Sequence, residues 1–119
     1  MYSIQSQPEK HRVFVEIVGN YDYSQEQFEE ELLQATRAAK SSDGRFDLLC
    51  DVSRASVLPK DRAARSQVVI DYYVENGLRK SANIMTSALQ QLQMKRVSSQ
   101  NEMFGYFTSH AEAEAWLKA

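Results

Sequence analysis

Basic residues around position 60 are the first candidates for chemistry. Lys60, Arg62 and Arg65 fall in the opening turns of a predicted helix, and Arg54 precedes them closely. The start of a helix has free backbone N–H groups and a positive dipole end, so it favours anions. Cations beside those groups predict a pocket for a phosphate, a carboxylate or an anionic lipid head group. The favoured alternative is a solvated helix face, where salt screens the charges and Asp61 partly offsets them.

Several aromatic residues suggest a second kind of site. Two tyrosines follow the second predicted strand, and two more lie together on the predicted helix after position 59. These side chains and a methionine predict an apolar pocket, although ordinary core packing is the favoured alternative and exposed members can instead form a dimer face. The set is Tyr21, Tyr23, Tyr72, Tyr73 and Met85.

Catalytic and metal-binding patterns are weak. His11 falls in an expected turn and His110 at a helix start. Neither has a predictable carboxylate or serine partner, and both are expected to be solvated. Cys50 has no histidine partner and is expected to be an inert, packed thiol. Asp47 and Asp51 share one side of a strand, where Asp51 is expected to cap the following turn. We predict no catalytic residues, no metal site and no cofactor.

The strand predicted at residues 45–52 organises the elements that must position these side chains. Its continuous apolar centre is typical of a strand covered on both faces, in the middle of a parallel sheet. The predicted loop at 53–58 leaves the carboxyl end of that strand, where open α/β sheets usually bind ligands. Any working site is therefore expected at this edge.

The segments before the central strand predict a hairpin and a helix. Residues 2–7 and 12–18 are expected to pair about a turn at 8–10, since the second segment is rich in branched and aromatic residues. Ser24 and Gln27 have the spacing of a capping box, so a helix is predicted from there to the polar stop at 41–44.

The segments after the central strand alternate helices and strands. Pro59 is expected in the first turn of the second helix, and Gly77 should end that helix in a left-handed conformation. A short strand is predicted at 81–87. A short third helix is predicted next, with Leu89, Leu92 and Arg96 or Val97 on one face. A polar loop at 98–101 and a strand at 103–107 should follow it. The last helix is expected to be capped by Ser109 and Glu112 and to pack Ala113, Trp116 and Leu117 inward.

This order predicts a single α/β domain over residues 1–119, with an N-terminal hairpin, four helices and a mixed, mostly parallel sheet. The same order resembles the STAS superfamily, and more closely its SpoIIAA-like, or STAS/SEC14-type, branch. Two segments support the resemblance: Phe-Asp-Leu-Leu-Cys-Asp-Val at 46–52, and Phe-x(5)-Ala-x(2)-Trp-Leu at 107–117. It covers nearly the whole chain.

The resemblance implies a STAS-like fold and a non-enzymatic regulatory or protein-interaction domain. In anti-sigma-factor antagonists of this superfamily, a kinase phosphorylates a serine in an Asp-Ser-Ser-Gly type motif at the start of the second helix. The matching stretch here, residues 59–62, has no serine. Ser53 and Ser56 are nearby hydroxyls that could substitute, although loop residues bonded to their own backbone are the favoured interpretation.

Composition limits the partners. The formal net charge of -2 gives no general attraction for nucleic acid or anionic membranes, and no run approaches the roughly 18 apolar residues of a membrane span. The single cysteine suits a reducing compartment, so a cytoplasmic location is expected. The expected partner is a protein or a second copy of the chain, and the alternative is a small lipid-like or anionic ligand. The candidate binding residues are Ser53, Arg54, Ser56, Lys60, Arg62 and Arg65.

These alternatives make different demands on the structure. A protein-interaction module needs only the exposed edge at 53–65. A ligand carrier needs an enclosed space between that edge and the aromatic residues, so a solid interior would count against it.

Overall fold

The chain forms a five-stranded sheet with helices on both faces in this computed structural model, which describes residues 1–89, 91–92 and 102–119. A short 3-10 helix, Pro8–Lys10, joins the first two strands. The strands are β1 (Tyr2–Gln7), β2 (Arg12–Gly19), β3 (Phe46–Ala55), β4 (Leu78–Ile84) and β5 (Phe104–Phe107), and the helices are α1 (Gln25–Ala39), α2 (Lys60–Glu75) and α3 (His110–Lys118).

Strand order in the sheet follows the order of the strands in the sequence. β1 pairs antiparallel with β2, and the β2–β3, β3–β4 and β4–β5 pairs are all parallel. The predicted α/β class, the N-terminal hairpin and a mixed sheet with β3 at its centre are therefore confirmed.

The central strand separates two apolar cores. Leu48 packs on one face with Leu32 of α1 and Tyr73 of α2. Its neighbour Leu49 packs on the opposite face with Leu117 of α3. Since alternate side chains of a strand point to opposite faces, the apolar run that predicted a doubly covered strand supplies both cores.

Several strand boundaries differ from the prediction. β3 continues to Ala55, so residues 53–55 lie in the strand and not in a loop, because β2 resumes its pairing with β3 beyond a register shift between Glu16 and Val18. β4 runs over 78–84 and not over 81–87, and its charged residues Arg79 and Lys80 find hydrogen-bond acceptors on β3 and α3. The two charged residues at the start of β4 therefore explain why the sequence pattern did not predict a strand there.

The predicted helix ends agree closely with the structure. Ser24 Oγ accepts a hydrogen bond from the backbone N–H of Gln27 at 3.2 Å, and Ser109 Oγ accepts one from Glu112 N–H at 3.3 Å. α2 ends before Gly77, which has a positive φ of 112°. Pro59 precedes the first turn of α2 and does not lie within it, as it supplies the N-cap residue.

The predicted third helix falls mostly outside the described residues. Positions 88, 89, 91 and 92 have helical backbone. Arg96, Val97 and the predicted loop at 98–101 lie outside the residues that the structure describes. In the described part of the chain, no helix has both the length and the apolar character needed to span a bilayer.

Candidate functional site

A cavity of about 140 Å³ lies between the sheet and the helices α1 and α2. Its lining comes from four strands, both helices and the segments that follow β2 and β3. Most of these side chains are aliphatic or aromatic: Val15, Ile17, Tyr21, Tyr23, Phe28, Leu32, Leu48, Val52, Leu58, Val69, Ile70, Tyr73, Leu78 and Phe104. Polar or ionisable lining is limited to Gln25, Cys50, Arg62, Ser66, Ser81 and Asn83.

The floor of the cavity is the inner face of the sheet. Val15, Leu48 and Leu78 are buried there, on β2, β3 and β4. Cys50 and Asn83 are register partners across the β3–β4 pair, so their backbones meet directly beneath the cavity. Burial raises the pKa of the Cys50 thiol to about 12. The thiol therefore stays protonated at neutral pH and is a poor nucleophile, which agrees with its expected packing role.

Two buried polar side chains give one part of the floor hydrogen-bonding capacity. Asn83 is only 2% exposed, and its amide nitrogen donates to the carbonyl oxygens of Ser81 and Gly105, each at 3.2 Å. These hydrogen bonds hold the Asn83 amide against the sheet, where it contributes a polar group to the cavity lining.

Aromatic rings form the wall near the start of α1. Tyr23 and Phe28 lie with their ring centres 5.3 Å apart, and Tyr2 packs edge-on against both. Burial raises the pKa of Tyr21 and that of Tyr73 to about 12, so both phenols are neutral at physiological pH. Of the five residues predicted to line an apolar pocket, Tyr21, Tyr23 and Tyr73 do so. Tyr72 is 47% exposed, and Met85 is fully buried outside the lining.

Arg62 lies at the rim of the cavity, where α1 and α2 begin. Its guanidinium donates to Gln25 Oε1 at 2.8 Å and to the carbonyl oxygen of Tyr23 at 2.6 Å. The guanidinium carbon is 5.0 Å from the centre of the Tyr23 ring, a cation–π distance. No aspartate or glutamate in the described ranges forms an ion pair with Arg62. The positive charge of Arg62 is therefore in contact with neutral groups.

The other predicted basic residues lie elsewhere. Arg54 pairs with Glu16 at 2.7 Å across β2 and β3, and Arg65 forms a two-pronged contact with Glu29 of α1. Lys60 is exposed at the first residue of α2. None of these three lines the cavity, so the structure does not gather the four cations into one pocket.

The two predicted serines also lie outside the cavity. The hydroxyl and backbone N–H of Ser53 donate to Asp51 Oδ1 at 2.6 and 2.9 Å. The hydroxyl of Ser56 donates to Asn20 Oδ1 at 2.8 Å. Neither serine bonds its own backbone, contrary to the expectation: Ser53 lies in β3 and contacts the side chain of Asp51, and Ser56 contacts a side chain 36 positions away. Arg62 is the member of the predicted set that lines the cavity.

A polar cluster on the opposite face of the sheet contains a contact that the sequence does not predict. His110 is exposed, as expected, and its Nε2 lies 2.8 Å from Asp51 Oδ2, where the start of α3 meets β3. Burial opposes ionisation of Asp51, yet the hydrogen bonds from Ser53 and His110 hold its pKa below the usual value. His11 has a partner as well: its Nδ1 lies 3.0 Å from the Ala39 carbonyl oxygen.

This cluster lacks the geometry of a nucleophilic triad. In such a triad the histidine lies between the hydroxyl and the carboxylate, so that it can take the hydroxyl proton. Here Asp51 lies between Ser53 and His110. Across the described residues, no group of three or more histidine, cysteine or acidic side chains could hold a metal ion.

Sequence reasoning missed the buried polar residues of the floor. Ser81 and Asn83 alternate with apolar residues along β4, and this alternation was the signal that could have placed them on one face. The strand was predicted in that region, but the pairing of Asn83 with Cys50 depends on a tertiary register that the sequence does not display.

A scan against protein-family models and a search of the curated proteins each find no match to this chain. The resemblance to the STAS superfamily accordingly stays a prediction from the residues quoted above.

Proposed function

We propose that this chain is a non-enzymatic domain of STAS-like fold that carries or senses a small apolar or amphipathic anionic ligand. The observation that supports this proposal is the cavity of about 140 Å³ between the sheet, α1 and α2. An engineered apolar cavity of roughly 150 Å³ is known to bind benzene, so this volume suits a ligand of about that size. A cationic side chain at the rim, Arg62, suits an acidic group on the ligand.

The position of the cavity adds support. Its rim lies where Tyr21, Tyr23 and Leu58 follow the carboxyl ends of β2 and β3, the edge at which open α/β sheets usually bind ligands. The proposed role needs no catalytic group. It also needs no phosphorylated serine, so it is compatible with residues 59–62, which contain no serine. The single protonated thiol of Cys50 suits the cytoplasmic location that the sequence predicts.

A pair of valines on α2 allows a sharp test of this proposal. Val69 lines the cavity, whereas its neighbour Val68 is 55% exposed and lies outside the lining. We expect Val69→Phe to fill the cavity and abolish binding of toluene, the probe, while Val68→Phe leaves binding unchanged. Amide chemical-shift changes during an NMR titration measure both. If the Val69→Phe protein binds toluene as the unmodified protein does, the cavity is not the site.

A protein-interaction module or homodimer is the second candidate function. It is favoured by three large apolar side chains at or near α2 that are about half exposed: Val57, Val68 and Tyr72. Analytical ultracentrifugation distinguishes the two functions. A mass of two chains that reverts to one in Tyr72→Lys would favour association through this surface, whereas a monomer at every concentration would remove the homodimer.

A further inference from the structure

The cavity limits its ligand by size. A space of about 140 Å³ is close to one that holds benzene, and it is too small for the long hydrocarbon chain of a lipid. Ring stacking is available along one wall, where Tyr23 and Phe28 lie beside each other with Tyr73 across the cavity lining. The cavity therefore fits a single ring better than an acyl tail.

Charge at the rim limits the ligand by chemistry. Arg54 and Arg65 are each neutralised by a glutamate, whereas Arg62 is held by an amide oxygen, a carbonyl oxygen and a ring face. These two hydrogen bonds leave further N–H donors of its guanidinium available. A half-buried cation with spare donors and no acidic partner in the described ranges is complementary to a ligand carboxylate.

The nearest acid along this chain of contacts does not compete for that role. Gln25, which accepts from Arg62, donates through its own amide nitrogen to Glu29 at 2.9 Å. Glu29 is already bound by Arg65, and that contact holds the pKa of Glu29 below its usual value. The charge of Glu29 is therefore balanced, and the charge of Arg62 is the one that a bound anion would neutralise.

From these observations we propose that the ligand is a single-ring aromatic carboxylate, with its ring in the cavity and its carboxylate on Arg62. This inference rests on the proposed function, since it names the ligand class for the same cavity.

Isothermal titration at constant ionic strength tests it with three probes: benzoate, toluene and octanoate. We expect benzoate to bind at least about tenfold more tightly than toluene, which has no carboxylate for Arg62. We also expect it to bind more tightly than octanoate, whose chain fits the cavity less well than a single ring. Arg62→Gln should lose about tenfold or more in benzoate affinity and keep its toluene affinity. Arg62→Lys, which keeps the charge without the planar fork, should retain part of the benzoate affinity.

Arg54→Gln is the matched control, because Arg54 lies outside the cavity lining and its partner Glu16 is not part of the contacts that link Arg62, Gln25 and Glu29. It should bind benzoate as the unmodified protein does. Equal benzoate affinity in Arg62→Gln, or octanoate binding as tight as benzoate binding, overturns the inference. Toluene binding without a preference for benzoate overturns it while leaving the proposed function intact, and no binding of any probe overturns both.

Discussion

Three arginines near the start of α2 carry the same charge but have different surroundings. Arg54 and Arg65 contact glutamates of β2 and α1, and Arg62 contacts neutral groups at the cavity rim. All three are visible in the sequence as a basic cluster. Their partners lie more than 30 positions away in the chain, so the pairing that sets Arg62 apart arises only from the fold.

Asp51 offers a residue-scale prediction on pH. Its folded-state pKa is lowered, so its ionised form stabilises the fold at neutral pH, and this contribution is lost as the pH falls through that pKa. Asp51→Asn removes the charged acceptor of Ser53 and His110 and should cost about 1–3 kcal/mol at pH 7. Urea unfolding at pH 7 and at successively lower pH measures this cost.

The cost of Asp51→Asn should shrink in acid, because the unmodified protein loses the same contribution there. Asp22→Asn is the control, since Asp22 is exposed in the segment before α1. A cost for Asp51→Asn that stays constant down to acidic pH would contradict the role assigned to the carboxylate.

At the scale of elements, local signals in the sequence performed well and register did not. Ser24 and Ser109 mark the starts of α1 and α3 because a cap needs only a hydroxyl next to free backbone N–H groups. The start of β4 was misplaced because Arg79 owes its position in a strand to Asp47 on β3. Local chemistry is visible in a sequence, whereas a partner across the sheet is not.

The turn between α2 and β4 gives an element-scale prediction. Gly77 has a φ of 112°, and a Cβ atom there would overlap the carbonyl oxygen of Gly44. Gly19 also has a positive φ, of 78°, but a Cβ atom there would meet nothing within 4 Å. Gly19→Ala should therefore cost only the left-handed strain, about 1–2 kcal/mol. Gly77→Ala should cost clearly more, since two backbone segments must also separate.

Thermal or urea unfolding of both glycine variants measures the difference. Both positions have a positive φ, but 112° at Gly77 lies further from the left-handed region than 78° at Gly19, so the difference includes added backbone strain as well as the steric contact. Equal losses of stability would mean that the Gly44–Gly77 approach relaxes without cost.

At the scale of the whole molecule, two tyrosines of the cavity lining affect how stable the folded protein is at alkaline pH. The pKa values of Tyr21 and Tyr73 are raised by burial to about 12, and an unfolded tyrosine titrates near about 10. Neutral phenols thus favour the folded state. Their contribution is complete below about pH 10 and is lost as the pH rises toward the folded-state pKa of about 12.

We expect phenolate absorbance from these two side chains to appear together with loss of far-ultraviolet circular dichroism above about pH 10. Tyr73→Phe should remove part of that absorbance change and shift the unfolding midpoint to higher pH. Complete ionisation of every tyrosine with the circular dichroism unchanged would contradict the burial of these rings.

The agreement between strand order and chain order has a consequence for synthesis on the ribosome. Each strand pairs with the one made immediately before it, so the sheet can grow in the direction of translation without waiting for a distant segment. The cavity, in contrast, depends on residues that are synthesised late. A nascent chain that has not reached Asn83 lacks part of the floor, and Phe104 is added later still. The sheet can therefore begin to assemble early, whereas the cavity is completed among the last features of the newly made protein.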